Sequence, residues 1–508
     1  MARDQMREVV LVEVVDPDPD ELARGQGPDE PVTHDAAAPR ASFPEPIRGR
    51  ALRGPRRWWA VAAGLTLLLT GGVLSSLHTQ ERAARLAAQP DVLASVTPHL
   101  NALWEEPLRG WGQVASIGRD IVLFGYEPER RSAAVVVLDA ITGKRRWASP
   151  LPEVDWTGNV DCVALGSTSV ERAPNVACVL VASTRSDAQD GKFAAVAPAM
   201  LVILDGATGA RTVERALETD KVSVAALGND VVLAQVLRDG HVSVSRLDAR
   251  TGRARWAFRS PAPLPMSRTG EPWVSVEIQH GVIVVSAPVS WAMTQAGRLL
   301  GEWHLVGGDR AAAGGWALEV SVLPNARFAV GQSGGSWSSQ ASYGTVSQTD
   351  RRDGFEIPGP VLVPLIDDSS AADVLFVRPV NHSGIVALDA ATGELRWRSD
   401  WTPGSRVLVL DGRVIGLERH TLMAIDAHSG GVLWKRDVPV GNPQQVLTDG
   451  RLLLVPMFDT VRGPMVAAFN AAEGRQEWAR ALPQRVTYLN VLQRRLLGMS
   501  DRQLVGLG

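Results

Sequence analysis

Cysteine and lysine are scarce in this 508-residue chain, and neither charge sign dominates it. The two cysteines, Cys162 and Cys178, are too few for a disulfide-stapled scaffold or a cysteine-rich metal site. Only four residues are lysines, so arginine supplies nearly all of the 52 basic side chains. A net charge of −3 lacks the basic bias of nucleic-acid-binding proteins, and nucleic acid is therefore not an expected partner.

Only one apolar run is long enough to cross a membrane. Residues 58–77 contain no charged side chain, and a helix of that length, rising about 1.5 Å per residue, spans the hydrocarbon core. Arginines are more numerous before this run than after it, namely Arg48, Arg50, Arg53, Arg56 and Arg57 against Arg82 and Arg85. The positive-inside rule then predicts a single-pass signal-anchor helix over residues 58–78, with the N-terminus in the cytoplasm and the rest outside the cytoplasmic membrane.

The segments that flank the predicted span differ in composition. Residues 1–57 are rich in Pro, Ala, Gly and acidic side chains, which predicts a disordered cytoplasmic tail. This tail is too long for a cleavable or twin-arginine signal, and no cysteine follows the span to carry a lipid anchor. Residues 79–100 are interpreted as a stalk or linker, and residues 101–508 as one extracytoplasmic domain.

A short pattern recurs through that domain: an apolar strand, then Asp, two residues, Thr or Ser, Gly, three residues and Trp. The Asp, Gly and Trp of its four complete copies are Asp139, Gly143 and Trp147; Asp248, Gly252 and Trp256; Asp389, Gly393 and Trp397; and Asp426, Gly430 and Trp434. Two copies are imperfect, one with Asp205 and Gly209 but Val213 in place of Trp, and one with Gly474 and Trp478 but Asn470 in place of Asp.

The pattern predicts a β-hairpin turn. An Asp side chain can accept hydrogen bonds from backbone N–H groups two residues on, and a Gly four residues later can adopt the positive φ of a bulged loop. The Trp then lies on the return strand, where its large ring can dock against a neighbouring sheet. Two further apolar runs precede most copies, and four short strands per repeat are typical of a β-propeller blade.

The spacing of the copies bounds the number of blades. Successive Asp or Asn positions are 66, 43, 141, 37 and 44 residues apart, and a step of some forty residues fits one blade. The longest step, within residues 260–358, predicts degenerate copies, for which the candidates are 296–303, 309–316 and 344–354. We favour eight blades, within a range of seven to nine.

The two ends of the domain predict a closed ring. Three apolar runs occupy residues 486–492, 496–499 and 504–507, and a fourth strand is missing after them. Residues 103–108 resemble such a fourth strand in isolation. Pairing the two would close the ring and remove two open sheet edges.

Whether the two cysteines are oxidised depends on the cellular compartment in which the domain lies. Outside the membrane Cys162 and Cys178 are expected to form a disulfide, and closing a loop of that length stabilises a fold by roughly 3 kcal/mol in the chain-entropy model. The alternative is a pair of buried free thiols.

The unit Leu-Asp-Ala-x-Thr-Gly-x-x-x-Trp resembles the PQQ-like repeat of quinoprotein-type β-propellers, over about residues 100–508. The resemblance implies an all-β, PQQ-like β-propeller, in a family that contains dehydrogenases and many non-enzymatic relatives. It also implies that the repeated Asp, Gly and Trp fix the blades to one another. With the predicted span, the arginine-rich composition and the lack of recognisable catalytic groups, we expect a membrane-anchored member of actinobacterial origin in a non-catalytic branch.

The resemblance does not by itself imply a quinone cofactor. Dehydrogenases of this type hold a disulfide between adjacent cysteines against the quinone, whereas Cys162 and Cys178 are sixteen positions apart. No set of Glu, Asn and Asp stands out as a calcium site with a catalytic base, and no catalytic or metal-binding residue is predicted. We therefore expect a non-enzymatic protein without a cofactor.

The expected function is a membrane-anchored, extracytoplasmic scaffold that binds a protein or a cell-envelope ligand. Two alternatives remain open. One is a PQQ-dependent quinoprotein oxidoreductase that holds PQQ and calcium, and the other is an extracytoplasmic sensor whose output is the cytoplasmic tail.

Overall fold

The computed structural model describes residues 80–107, 111–117, 120–127, 132–151, 160–166, 175–181, 199–265, 273–304, 317–333, 342–347, 354–380, 382–404, 406–438, 446–483, 486–500 and 503–508. The predicted tail, residues 1–57, and the predicted span, residues 58–78, lie outside these ranges. No helix within the ranges is long and apolar enough to cross a membrane. The chain divides into two compact units, residues 1–81 and 82–508, and every described strand belongs to the second.

Residues 80–88 are helical, and all other regular structure in the described ranges is strand. The first twelve strands are β1 (Ala102–Pro107), β2 (Trp111–Ile117), β3 (Asp120–Glu127), β4 (Ser132–Asp139), β5 (Arg145–Pro150), β6 (Val160–Ala164), β7 (Val176–Leu180), β8 (Met200–Leu204), β9 (Arg211–Ala216), β10 (Val222–Leu227), β11 (Asp230–Val236) and β12 (Val242–Asp248).

The next twelve are β13 (Ala254–Arg259), β14 (Ser275–Gln279), β15 (Val282–Ser286), β16 (Val289–Met293), β17 (Leu299–His304), β18 (Ala317–Val322), β19 (Arg327–Ser333), β20 (Ser342–Ser347), β21 (Glu356–Ile357), β22 (Ile366–Asp367), β23 (Val374–Val377) and β24 (Ile385–Asp389). The last twelve are β25 (Leu395–Ser399), β26 (Leu408–Leu410), β27 (Arg413–Glu418), β28 (Thr421–Asp426), β29 (Val432–Asp437), β30 (Leu447–Thr448), β31 (Leu452–Asp459), β32 (Gly463–Asn470), β33 (Gln476–Ala481), β34 (Tyr488–Leu492), β35 (Arg495–Met499) and β36 (Gln503–Leu507).

Hydrogen bonds join these strands into nine sheets, which are the blades of an all-β propeller. In chain order they are blade 1 (β2–β5), blade 2 (β6–β9), blade 3 (β10–β13), blade 4 (β14–β17), blade 5 (β18–β21), blade 6 (β23–β25), blade 7 (β26–β29, with β22 added), blade 8 (β30–β33) and blade 9 (β34–β36, with β1 added). Blade 6 has three strands and an isolated bridge between Val361 and Val377 at the place of a fourth.

The favoured count of eight blades was wrong, because the region between Asp248 and Asp389 holds two blades without the full pattern. In blade 4 the turn runs from Thr294 to Gly297, one residue shorter than in the other copies, and Gly301 occupies the register position of the Trp. In blade 5 the turn falls at residues 348–355, most of which lie outside the described ranges. The candidate copy at 309–316 also lies outside them.

The burial of each strand follows from its place in a blade. All residues of β7, β11 and β16 are buried, as expected for strands that are covered on both faces. The outermost strands alternate instead, so that in β5 Trp147 and Ser149 are buried between exposed neighbours. These strands have only one neighbour in their sheet, and one of their faces is open to solvent.

Nine hydrophobic clusters lie between neighbouring blades in the described part of the chain. Between blades 1 and 2, for example, the cluster contains Val135 and Val202, and between blades 9 and 1 it contains Leu123 and Leu497. The core is thus a series of interfaces rather than one centre. Each blade depends on both of its neighbours for the burial of its apolar side chains.

The first and last strands close the ring as predicted. β1 pairs with β36 in antiparallel register, with Trp104 opposite Gly506 and Glu106 opposite Leu504. The backbone of Asn101 and that of Gly508 exchange two further hydrogen bonds. The expectation that the ends of the domain share one blade is confirmed.

The two cysteines lie opposite each other on β6 and β7. The structure joins Cys162 and Cys178 in a disulfide, with their Cα atoms 4.0 Å apart. Both side chains are buried in the cluster between blades 1 and 2. The bond therefore links the two inner strands of blade 2 at a core position.

Removing this bond tests its contribution to stability. We expect the variant Cys162→Ala/Cys178→Ala to unfold at a lower temperature. The bond restricts the conformations of the unfolded chain, and the lost entropy stabilises the fold by roughly 3 kcal/mol. Differential scanning calorimetry measures the midpoint. Reduced wild-type protein is the matched control, since it loses the bond but keeps both sulfur atoms. An unchanged midpoint in both samples would show that the bond does not stabilise the ring.

Candidate functional site

The repeated pattern forms the same turn, here called the corner turn, between the third and fourth strands of a blade. In blade 1 the Asp139 Oδ1 atom accepts hydrogen bonds from the N–H groups of Ile141 (3.0 Å) and Thr142 (2.8 Å), and from the Thr142 hydroxyl (2.9 Å). The Gly143 N–H donates to the Asp139 carbonyl at 2.8 Å. The local sequence therefore satisfies the polar groups of the turn without help from the rest of the fold.

The same bonds recur in the other copies. A side-chain oxygen accepts from the N–H groups two and three positions on at Asp205, Asp248, Asp389, Asp426 and Asn470. Asn470 shows that the turn needs an acceptor oxygen rather than a charge, which explains why the copy without Asp still folds.

The glycine of each corner turn has two roles. Gly209, Gly430 and the equivalent glycines have φ between 66° and 85°, a region that other residues rarely enter. Most of them also lie under an aromatic ring from the preceding blade. A Cβ atom on Gly209 would be 2.6 Å from the Trp147 ring, and one on Gly430 would be 2.7 Å from the Trp397 ring.

The tryptophans also bond to the next blade through their indole N–H groups. Trp147 donates to the Gly206 carbonyl at 2.8 Å, and Trp397 donates to the Ala427 carbonyl at 2.9 Å. Trp434 and Trp256 donate to Ala471 and Gln295 in the same way, at 3.2 and 3.0 Å. Ring contact and hydrogen bond together fix each blade to the corner turn of the following one.

The side chain that packs against the corner glycine varies between interfaces. Gly252 faces Val213, and Gly393 faces Phe355, so an aliphatic or phenyl side chain can replace the indole. Trp478 packs in the cluster between blades 8 and 9, where strand closure takes the place of a corner turn.

Gly143 meets Trp104 of β1, a residue that the pattern did not single out. The sequence did indicate its role, because residues 103–108 resemble an isolated fourth strand and Trp104 lies at the position of the repeat's Trp.

Three arginines extend the corner turns in a way that sequence reasoning missed. Asp120 and Asp139 lie directly opposite on β3 and β4, and like charges in that position repel. Arg146 binds both carboxylates, at 3.0 and 3.3 Å. Burial raises the pKa of Asp120, and the Arg146 guanidinium opposes that shift.

The same bridge recurs in two further blades. Arg255 binds Asp230 at 2.9 Å and Asp248 at 2.8 Å, and Arg396 binds Asp373 at 2.6 Å and Asp389 at 2.7 Å. Each arginine immediately precedes the Trp and is the extra residue of a β-bulge. Arg before Trp, with an Asp near the start of the second strand, was the sequence signal for this bridge.

The segment that was assigned to a linker contacts three blades. Residues 82–100, here called the strap, place Leu86, Val92 and Leu93 among the buried side chains of blades 7, 8 and 9. The Leu93 N–H donates to the Thr448 carbonyl of blade 8, and the Ala94 N–H donates to the Arg494 carbonyl of blade 9. The strap is thus part of the propeller core.

An ion pair fastens the start of the strap to blade 7. Arg82 Nε lies 2.5 Å from Asp368 Oδ2, and Arg82 Nη1 lies 2.9 Å from Asp411 Oδ1. The Asp368 side chain is fully buried and also accepts hydrogen bonds from the backbone N–H groups of Ser370 and Asp411. A carboxylate so buried requires these partners, because burying an unpaired charge is costly.

The corner turns share one end of the blades. In an antiparallel four-stranded blade the first and third turns lie at one end, and the second turn lies at the other. The strap contacts the first turns of blades 7 to 9, around Asp411, Gly450 and Arg494. Strap and corner turns therefore occupy the same face, here called the corner face.

The predicted residues do not converge on a catalytic pocket. They are distributed one set to an interface around the ring. Within the described ranges no group of three or more His, Cys, Asp or Glu side chains is arranged to hold a metal ion. The disulfide joins cysteines on facing strands, so the chain lacks the adjacent pair that holds a quinone in the dehydrogenases of the resembled family.

Sequence comparison identifies a family. The family model described as outer membrane protein assembly factor BamB matches residues 131–311 and 381–507, more than half of the chain. No curated protein matches the sequence.

Solved structures with a similar fold have low identity. BamB from Moraxella catarrhalis is 15% identical, with 80% of this chain and 97% of that chain covered and a TM-score of 0.42. A quinohemoprotein alcohol dehydrogenase from Comamonas testosteroni is 12% identical, with 83% and 77% covered and a TM-score of 0.39. A eukaryotic initiation factor is 9% identical, with 77% and 91% covered and a TM-score of 0.44. At these values the structures carry no information on function.

Two glycines of blade 7 separate the two roles of the corner glycine. Gly430→Ala and Gly412→Ala both place Ala at positive φ (72° and 68°), but only the first meets a ring, since nothing lies within 4 Å of a Cβ on Gly412. We expect Gly412→Ala to cost about 1 kcal/mol from backbone strain, and Gly430→Ala roughly 1–3 kcal/mol more from the clash. Thermal midpoints measure both, and equal losses would refute a packing role for Gly430.

The corner aspartates predict an acid-sensitive contribution to stability. The hydrogen bond from the Thr142 N–H is the main cause that lowers the pKa of Asp139 to about 2. The pKa of Asp389 is also lowered, chiefly by Arg396. Because the folded-state pKa is below the unfolded one, the carboxylate stabilises the fold above about pH 4, and this contribution is lost as the pH falls towards 2.

The variant Asp139→Asn keeps the acceptor oxygen, as Asn470 does, and removes the titration. We expect its melting midpoint to lie below that of the wild type at neutral pH and to approach it near pH 2. Melting curves across this range give the comparison. A difference between the two proteins that stays constant with pH would contradict the assignment.

Proposed function

This chain belongs to the family described as outer membrane protein assembly factor BamB, and we propose that its propeller is a non-catalytic scaffold that binds another protein. The family match is the observation that carries the proposal. The name of the family refers to protein assembly, which requires contact between proteins rather than chemistry on a small substrate. A cell-envelope ligand is a second class of occupant for the same scaffold.

The geometry of the repeats supports a structural role for the residues that the sequence singled out. The corner carboxylates are hydrogen-bonded to their own turns, and three of them are also bound by arginine. The indoles are held by ring contacts and carbonyl acceptors. These groups are committed to the fold, so binding would use the exposed turns that the rigid ring presents.

We also propose that residues 58–78 anchor the scaffold in the cytoplasmic membrane, with residues 1–57 as a cytoplasmic tail and the domain outside. The support is the charge-free run and the arginine-rich flank before it. The disulfide fits an oxidising compartment, since such bonds rarely persist in the cytosol. The predominance of arginine over lysine fits an actinobacterial source.

Site-specific photo-cross-linking in the producing cells tests the scaffold. A photoreactive residue replaces Ile141, 52% exposed on the corner face, or Val461, 91% exposed on the second turn of blade 8 at the other end. We expect a defined protein adduct from one face and not from the other, because a docked partner covers one surface. Absence of any adduct from either face contradicts the proposal.

A quinone titration of the full chain in neutral detergent completes this test. Stoichiometric binding of PQQ in the presence of calcium, followed by absorbance, would instead support the oxidoreductase. A partner that cross-links only to residues 1–57 would support the alternative of an extracytoplasmic sensor whose output is the cytoplasmic tail.

A further inference from the structure

The residue after each corner glycine occupies the same position in every blade that has a described corner turn. Its carbonyl accepts a hydrogen bond from the residue that begins the turn, as Lys144 does from Asp139. In every such blade except blade 8 its N–H also donates to a hydroxyl of the turn, as Lys144 does to Thr142. The backbone at this position is therefore fixed by the turn. In chain order the position holds Lys144, Ala210, Arg253, Arg298, Glu394, Gly431 and Arg475.

The cations of blades 1, 3 and 4 at this position are unlike the one in blade 8. Lys144, Arg253 and Arg298 are exposed, and in the described part of the chain their side chains make no ion pair or hydrogen bond. Arg475 is instead bound by Glu477 at 2.9 Å and by Glu473 at 3.6 Å. One side of the corner face thus carries cations whose charge is not neutralised by any residue in the described ranges.

A fourth cation belongs to the same group. Arg250 lies within the corner turn of blade 3 and is exposed, and its backbone N–H donates to Asp248. Among the residues that the structure describes, its side chain has no ion-pair or hydrogen-bond partner. We call Lys144, Arg250, Arg253 and Arg298 the basic arc. On the other side of the corner face the turn of blade 6 presents Glu394, and in blade 8 Glu473 and Arg475 offset each other's charge. The two sides of the face therefore differ in charge.

We propose that the basic arc is a docking surface for an acidic segment of a protein partner. The inference rests on the proposed scaffold function and names the surface and the partner chemistry for it. Guanidinium groups form bidentate hydrogen bonds with carboxylates, and turns that are already rigid lose little entropy when a partner binds. Charges of one sign on one side of a face also orient the encounter of the two proteins.

A protein segment fits this arrangement better than a flat anionic membrane. A lipid surface laid on the corner face would meet Glu394 at the corner of blade 6 as well as the basic arc, and it would be repelled there. A polypeptide can follow blades 1 to 4 alone. The uncharged corner of blade 2, Ala210, leaves a gap that a shaped partner can bridge.

Binding of a fluorescent poly-glutamate peptide to the full chain in uncharged detergent tests the proposal. We expect a fluorescence-anisotropy titration to show saturable binding that weakens as salt screens the charges. Changing all four arc residues to Glu should weaken it at least about tenfold, since several exposed pairs are lost together and repulsion replaces them. Arg475→Glu is the matched control, and it should change the affinity less than about twofold because Arg475 is already paired.

Lysine footprinting on the unmodified chain keeps the proposal testable if the charge-reversed variant fails to fold. The peptide should protect Lys144 from acylation and leave Lys435, which is exposed on β29 of blade 7, unprotected. No protection of Lys144, or equal protection of both lysines, overturns the proposal. Protection by phosphatidylglycerol added to the micelles, with none from the peptide, also overturns it and assigns the arc to a lipid surface.

This outcome is separable from that of the scaffold. A chain that ignores poly-glutamate but yields a defined cross-linked partner through Val461 keeps the proposed function and loses the arc. A chain that fails both experiments loses both.

Discussion

The contact between an aromatic ring and the glycine of the next blade's corner turn is the interaction on which the ring depends. It joins a strand that ends one sheet to a turn that belongs to another, at five indole-bearing interfaces and in modified form at two more. Blades buried on both faces have no stable existence alone, because each hydrophobic cluster draws side chains from two sheets. Whatever sets the angle between neighbouring blades therefore sets the whole ring, and the ring–glycine contact does so with a directional hydrogen bond.

The corner turn is also where local and long-range requirements meet. The Asp or Asn side chain and the hydroxyl satisfy the turn from within, so it can form before its neighbour arrives. The glycine then serves the turn through its φ and the interface through its missing Cβ. The ring is replaceable, as Val213 and Phe355 show, whereas the glycine is retained in each described corner. A smaller side chain in place of the ring leaves a weaker contact. Every residue other than glycine, however, would bring a Cβ atom into the space that the ring occupies.

The features that could be predicted from the sequence are those encoded by short patterns that recur along the chain. The corner turns, the propeller and its closure followed from spacing, because each needs only a few residues in a fixed order. Blade 4 was harder, since its turn is one residue shorter and Gly301 stands where the Trp would be. The strap could not be predicted, because Leu86, Val92 and Leu93 have no periodicity of their own and become buried only when three distant blades surround them. The arginine bridges were missed because their acidic partner lies on another strand, and pairing decides which Asp faces which. The basic arc likewise depends on which cations find partners, and only the folded chain decides that.

The closing blade has a consequence for the order of events during synthesis. Trp104 finds its strand partner in Gly506, so the first strand of the ring has to wait until β36 has left the ribosome. Until then blade 1 presents an uncovered face and β1 an unpaired edge, both of which favour association with other chains. Local corner turns can form early, but the high sequence separation of this one pairing makes ring completion late and slow. A chain interrupted at any point before β36 therefore exposes an unpaired edge and an uncovered face that proteases and chaperones can detect.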